Sequence, residues 1–215
     1  MPSDLQITNI RDQANATSAI TIASDGQITV NQNNPTVTLG SNATFPAGHI
    51  IKTESTLYTG TTSDAVGSAN SPVKIAEIAT DITVSGTNDV LILISAFGEM
   101  SGTSAELYTY HVIYRTPSGG SDVVLQAPSA SNRTRTITSD ASSNYDTNPY
   151  ITPNTVNILY VDDKANLSAG TYTYALGVIT SDGTGTYYTN RSVNDTDSTI
   201  HPRGVSQIVC MEIQA

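Results

Sequence analysis

The chain has 215 residues, a formal net charge of -10, and 9 Lys plus Arg against 19 Asp plus Glu. So few and such dispersed cations cannot form a stripe that neutralises several phosphates, which excludes nucleic acid as an expected partner and disfavours an anionic membrane surface. Only 38% of residues are apolar and 6% aromatic, with 11 Tyr, 2 Phe, no Trp and 1 Cys; this points away from one large interior and from a disulfide scaffold, and toward thin β-layers that complete their burial against copies of themselves.

Residues 1–45 form one compositional unit. Leu5, Ile7 and Ile10 open it, and Asp25-Gly26 is a hairpin signal flanked by Ile20 and Ile22 on one side and Ile28 and Val30 on the other. A turn cluster at 31–35 precedes a short strand at 36–39. The unit has too few large apolar groups to close a core alone. Met1 to Ile10 has neither the basic start nor the apolar run of an export signal. Together with the lone thiol, this makes folding in a reducing cytosol the expectation.

Phe45-Pro46-Ala47-Gly48-His49 punctuates the chain, and Ile50-Ile51 opens a new strand. Residues 59–70 read as a polar loop. Val73 to Val84 reads as a half-buried strand with a break near Ala76-Glu77, since Ile78, Thr80, Ile82 and Val84 share a face. Asp89 to Phe97 is different. Val90, Ile92, Ile94 and Ala96 point one way while Leu91, Leu93 and Phe97 point the other, so both faces are apolar and both need cover.

Thr109 to Arg115, Asp122 to Gln126 and Arg133 to Thr138 read as further strands, and 139–153 as a long polar loop with Tyr145 and Tyr150. Thr155 to Val161 is a strand, and 164–170 a turn. Tyr172, Tyr174, Leu176 and Val178 share one face before a turn at 181–185, and 186–191 returns. In the last strand, Ser206 to Ile213, Ile208 and Cys210 oppose Val209, Met211 and Ile213, again apolar on both faces. The terminal strand is therefore expected inside a sheet rather than at its edge. Short strands at this spacing predict an all-β chain: a β-rich N-terminal anchoring region, 1–45, followed by an antiparallel jelly-roll sandwich, 46–215.

Phe45-Pro46-Ala47-Gly48-His49-Ile50-Ile51, the strands Asp89 to Phe97, Asn154 to Asp162 and Gly170 to Ile179, the return through Tyr188 and Arg191, and the closing Val209-Cys210-Met211-Glu212-Ile213 together resemble marine phage virion proteins. In those, a short β-rich leader precedes a C-terminal knob similar to the trimeric jelly rolls of the C1q and tumour-necrosis-factor type. The resemblance implies a homotrimer on a virion surface, as a head decoration, a head fibre or a tail-fibre tip. Its leader would engage the major capsid protein or a tail adaptor. A tip that recognises host surface glycans, or a bacterial lectin or adhesin module, is the alternative.

Individual residues add candidates. Leu91, Leu93, Phe97, Met211 and Ile213 are the expected trimer interface, since they form the second apolar face of two strands. Tyr145, Tyr150, Tyr187 and Tyr188 are the expected receptor-facing set, because Tyr at strand ends among Ser, Asn and Asp suits sugar stacking. The three histidines, His49, His111 and His201, lie far apart without metal-ligand spacing; His111 is expected at the surface or beside Tyr110. Asp162-Asp163, Asp182, Asp195 and Asp197 read as turn residues, and Cys210 as a buried inert thiol. Glu99 with Asp163 is the nearest thing to a catalytic carboxylate pair, and no nucleophile motif accompanies it. The six Asn-X-Ser/Thr triplets, from Asn15 to Asn194, follow from the Asn- and Thr-rich composition. No catalytic residue, metal, cofactor or membrane-inserted segment is expected.

Overall fold

The computed structural model describes residues 9–11, 18–22, 28–30, 46–67, 71–102, 106–129, 131–143, 153–181 and 184–215. The chain divides into two compact units, Met1–Thr44 and Phe45–Ala215.

In the first unit, β1 (Asn9–Arg11), β2 (Ser18–Ile22) and β3 (Ile28–Val30) form an antiparallel sheet in the order β1-β2-β3. Ile20 pairs with Val30 and Ile22 with Ile28, so the two apolar sets that flank Asp25-Gly26 in the sequence lie opposite one another. The connecting residues themselves, and the strand expected at 36–39, lie outside the described residues.

The second unit is a sandwich of two antiparallel sheets. Its strands are β4 (Ile50–Tyr58), β5 (Thr62–Val66), β6 (Val73–Val84), β7 (Asp89–Ser101), β8 (Glu106–Pro117), β9 (Val123–Leu125), β10 (Thr138–Ser143), β11 (Asn154–Asp162), β12 (Gly170–Thr180), β13 (Gly185–Thr189) and β14 (Ser206–Ile213). One sheet, five-stranded, runs β10-β8-β12-β6, with β9 also on β8. The other, six-stranded, contains β4-β14-β7 and β7-β13-β5; β14 and β13 follow one another along one edge of β7, and β11 covers the opposite edge, since β11 and β13 both pair with Gly98. The last strand is indeed internal, between β4 and β7. Pro46 to His49 make a turn that joins this sheet: Gly48 N–H donates to the Gln214 carbonyl at 2.7 Å, and Gln214 N–H to that of His49 at 2.8 Å.

Period-two alternation decides what lies between the sheets. Val90, Ile92, Ile94 and Ala96 of β7, Ile208 and Cys210 of β14 and Ile158 of β11 face Ile78 and Ile82 of β6 and Tyr172, Tyr174, Leu176 and Val178 of β12. Each such aliphatic side chain contributes roughly 1.5–3 kcal/mol by leaving water. The break expected near Ala76-Glu77 is a register shift: Ala175 pairs with Ala79, but Leu176 with Ile75. This returns Ile75 to the inner face, where it is fully buried.

Two polar clusters tie the sandwich. Arg115 of β8 and Tyr174 of β12 meet Asp162 of β11 across the interior; Arg115 Nη1 lies 2.8 Å from both carboxylate oxygens, and the Tyr174 hydroxyl donates to Oδ2 at 2.9 Å. Glu212 of β14 accepts from Ser85 N–H at 2.9 Å, Ser85 Oγ at 2.6 Å and Asn88 Nδ2 at 3.0 Å, which fixes the β6–β7 turn. Burial works against the Glu212 charge, but these hydrogen bonds outweigh it and hold the carboxyl below its ordinary range.

Three expectations are corrected. The polar loop at 59–70 contains β5, whose inward side is only Val66, Asp64 and Thr62, too polar a pattern to read as a strand. Arg133 to Thr138 is not a strand: only Thr138 joins β10, while Thr136 and Ile137 hydrogen-bond the His111 backbone and Ile137 packs against the core. Conversely, 139–143, read as loop, continues β10 along β8.

Candidate functional site

The outward face of the six-stranded sheet is built from the doubly apolar strands. Register places side chains in rows across it: Met211, Leu91 and Val161 form one row, and Val209, Leu93 and Leu159 the next. Beyond them the face turns polar, with Gln207, Ser95 and Asn157 aligned. Leu159 is 67% exposed and Val161 46%. Leu91, Leu93, Val209 and Met211 are half-buried beside one another. A shallow concavity is lined by Leu93, Ser95, Asn157, Leu159, Gln207 and Val209. On β4, Leu57 and Ile51 also point out.

Of the expected interface residues, Leu91, Leu93 and Met211 therefore lie together in the centre of one face. Ile213 sits at its end, paired with Asp89 of β7 and Ile50 of β4. Phe97 shares the face but is already packed within the chain, because Gly204 lies against it: a Cβ on Gly204 would stand 2.5 Å from the Phe97 ring. Leu159, Val161 and Val209 were not singled out from the sequence. Their signal was present, since Ile158 and Tyr160 alternate with Leu159 and Val161 as in β7.

Tyr145 and Tyr150 lie outside the described residues. Tyr187 is corrected: it points inward, 3% exposed, with its ring edge-on to His111 at 6.5 Å between centroids, and burial pushes its hydroxyl pKa up. The inward phase is set by Thr189, two residues on and fully buried. Tyr188 consequently points out, half-buried beneath the Arg191 guanidinium, which lies 4.5 Å from its ring centroid.

His111 is also corrected. It is 2% exposed on the inner face of β8, and burial pulls its pKa down to about 4. A very small cavity beside it is bounded by Glu99, Thr109, Asp140 and Tyr187. His49 is exposed in the turn before β4, and His201 Nδ1 lies 2.6 Å from Thr196 Oγ1. Glu99 and Asp163 are not brought together. Glu99 is buried and accepts the Val193 N–H at 2.7 Å, while Asp163 caps the single-turn 3-10 segment Lys164–Asn166. They stand just beyond opposite ends of the β7–β11 ladder, about 33 Å apart along it. Asp195 is salt-bridged to Arg203 at 2.7 Å; Asp182 lies outside the described residues. Burial raises the Cys210 thiol to about 12, so it stays protonated and inert.

No family model and no curated protein sequence matches the chain. Among solved structures, it is similar to infectious bursal disease virus derived T=1 particles (8% identity, TM-score 0.40, 85% of this chain and 41% of that one). Others are Eiger TNF from S. frugiperda (17%, 0.34, 75% and 92%) and the CBM22-1 xylan-binding domain of Paenibacillus barcinonensis Xyn10C (10%, 0.32, 80% and 99%). The chain spans less than half the length of the viral proteins it matches.

Proposed function

We propose that this protein is a non-enzymatic bacteriophage virion surface module that assembles as a homotrimer through the outward face of its six-stranded sheet and decorates the capsid. The observation that carries the reading is the joined pair of apolar rows, Met211-Leu91-Val161 and Val209-Leu93-Leu159, on strands whose other faces already build the interior. A soluble chain does not keep such a face wet without cost; three copies packed on it would add stability that one thin core lacks. The sequence resemblance to trimeric knobs sets the number of copies. In this reading the N-terminal unit engages the major capsid protein or a tail adaptor. Multi-angle light scattering of the purified full chain at micromolar concentration tests the assembly: a trimer is expected, and a monomer overturns it. Cryo-EM of intact particles tests the position, with density on the capsid expected and density confined to the tail tip assigning the protein there instead.

A second reading, a receptor-binding tip or lectin-like module, is favoured by one observation: a polar groove on the opposite sheet, flanked by two arginines.

A further inference from the structure

We infer that the groove between residues 126–135 and the outward side of the five-stranded sheet binds an acidic saccharide, a short chain of carboxylate-bearing sugars. The inference deepens the lectin-like reading and rests on it. The groove encloses about 460 Å³ and is lined by Gln126, Asn132, Arg133, Thr134, Arg135 and the floor residue Ile179, with Ser131 at its rim. That volume falls in the range of small-ligand sites, roughly 300–1,000 Å³.

Three features select the ligand. The first is charge. Lys52, Lys74, Arg115 and Arg203 are each taken up by a carboxylate of the chain itself. Arg133 and Arg135 have no such partner among the described residues, and no carboxylate lines the groove. On a chain of net charge -10 this is a local reversal of sign. Arg135 is held in place by its Nε donating to the Ala127 carbonyl at 2.7 Å, which leaves its terminal nitrogens for a carboxylate; Arg133 is exposed at the mouth. The second is the neutral lining. Gln126, Asn132 and Thr134 offer donors and acceptors side by side, which match vicinal hydroxyls and would go unused by a bare inorganic anion. The third is an aromatic surface next to the floor. Tyr110 pairs with Ile179 across β8 and β12, and its ring stacks with Tyr108 at 6.5 Å and 17° between planes. Tyr108 is 40% exposed, which leaves it available to the apolar face of a sugar ring.

Calorimetric titration of the full chain with trigalacturonate, a neutral galactose trisaccharide and inorganic phosphate tests this, on wild type, Arg133→Ala and Tyr108→Ala. Trigalacturonate should bind saturably, more weakly as salt is raised, and at least about 10-fold more tightly than either control. Arg133→Ala should weaken it by about 10-fold or more, the loss of one charge-assisted hydrogen bond, with unchanged thermal unfolding; Tyr108→Ala should weaken it less. Equal binding by Arg133→Ala, or phosphate binding as tightly as the saccharide, overturns the inference. If the neutral trisaccharide binds equally and Arg133→Ala does not affect it, the lectin-like reading stands and the groove assignment falls. If no saccharide binds, both fall, while the light-scattering result for the assembly is untouched.

Discussion

Arg115 and Asp162 close the sandwich from opposite sheets, one guanidinium nitrogen bridging both carboxylate oxygens at 2.8 Å, with Asp162 1% exposed. The partners are unequal in number. Asp162 also accepts from Tyr174, whereas the buried Nε of Arg115 has no acceptor among the described residues. Asp162→Ala would strand a largely buried cation and should cost about 3–5 kcal/mol in denaturant unfolding. Replacing both, Arg115→Met with Asp162→Leu, should recover most of that. A double variant no more stable than the single one would show that the pair supplies net stability, against this account.

Adjacent residues of β7 should separate folding from assembly. Ile92 is fully buried between the sheets, and Leu93 points to the opposite side. Ile92→Asp buries an unpaired carboxylate at a cost of several kcal/mol, comparable with the whole stability of a small domain, and should abolish cooperative unfolding. Leu93→Asp should stay folded, with its far-UV spectrum unchanged, and dissociate to a monomer in light scattering. A Leu93→Asp protein that remains trimeric would remove the sheet face from the interface.

Asn190 should be irreplaceable for two reasons. Its φ of +60° lies in the left-handed region, which Asn tolerates better than most residues. Its amide donates to the carbonyls of Tyr58 and Gly60, both at 2.8 Å, and its Oδ1 accepts from Ser206 Oγ at 2.7 Å. Asn190→Ala should lose about 2–4 kcal/mol by denaturant titration. Asn190→Gly removes the same bonds without the backbone penalty and should be the milder by about 1 kcal/mol. Equal losses would mean that backbone conformation contributes nothing here.

His111 gives stability a defined pH dependence. Its folded pKa, about 4, lies below the ordinary 6.5 because burial penalises the cation. Between these values the unfolded chain takes up a proton that the folded chain refuses, so stability falls as pH is lowered from 6.5 to about 4, by up to about 3 kcal/mol. Glu99 and Asp140 border the same cavity and Tyr187 meets the ring edge-on; carboxylates so placed can only reduce the drop. His111→Phe should flatten this segment of the stability–pH curve. An unchanged slope in that variant would assign the acid sensitivity to carboxylates elsewhere.

Gly177 of β12 is a packing glycine on the outward side of the five-stranded sheet. A Cβ there would stand 2.6 Å from Val112 Cγ2 and 2.8 Å from the Tyr114 ring. Tyr114 itself is held, its hydroxyl donating to the Pro72 carbonyl and its ring facing Lys74. Gly177→Val should therefore destabilise by about 1–3 kcal/mol in thermal unfolding. A neutral result would show that Tyr114 can swing away at little cost.

The sequence was most legible where alternation is strict. In β7, β12 and β14, inward and outward sets could be assigned residue by residue, and the internal place of β14 followed from its two apolar faces. Legibility failed where polarity and burial part company. β5 looks like loop because its inward positions include Thr62 and Asp64. His111 and Tyr187 look like surface residues, and each is drawn inside by the period of its strand. The groove at 126–135 was invisible because it joins a loop to Ile179, distant in sequence, and because Arg133 to Thr138 imitates a strand by alternating Arg, Thr and Ile.

The position of β14 also fixes the order in which the molecule can become complete during synthesis. β4 emerges from the ribosome long before β14, its one neighbour in the sheet among the described residues, and Tyr58 must wait for Ser206. Until then β4 has no strand to pair with among the described residues, and the Asp89–Ser95 stretch of one edge of β7 is open to any extended peptide. A chain broken off before Ser206 thus carries unpaired margins and lacks Val209 and Met211 from the two apolar rows. Such fragments would expose unpaired strand edges of the kind that favour aggregation.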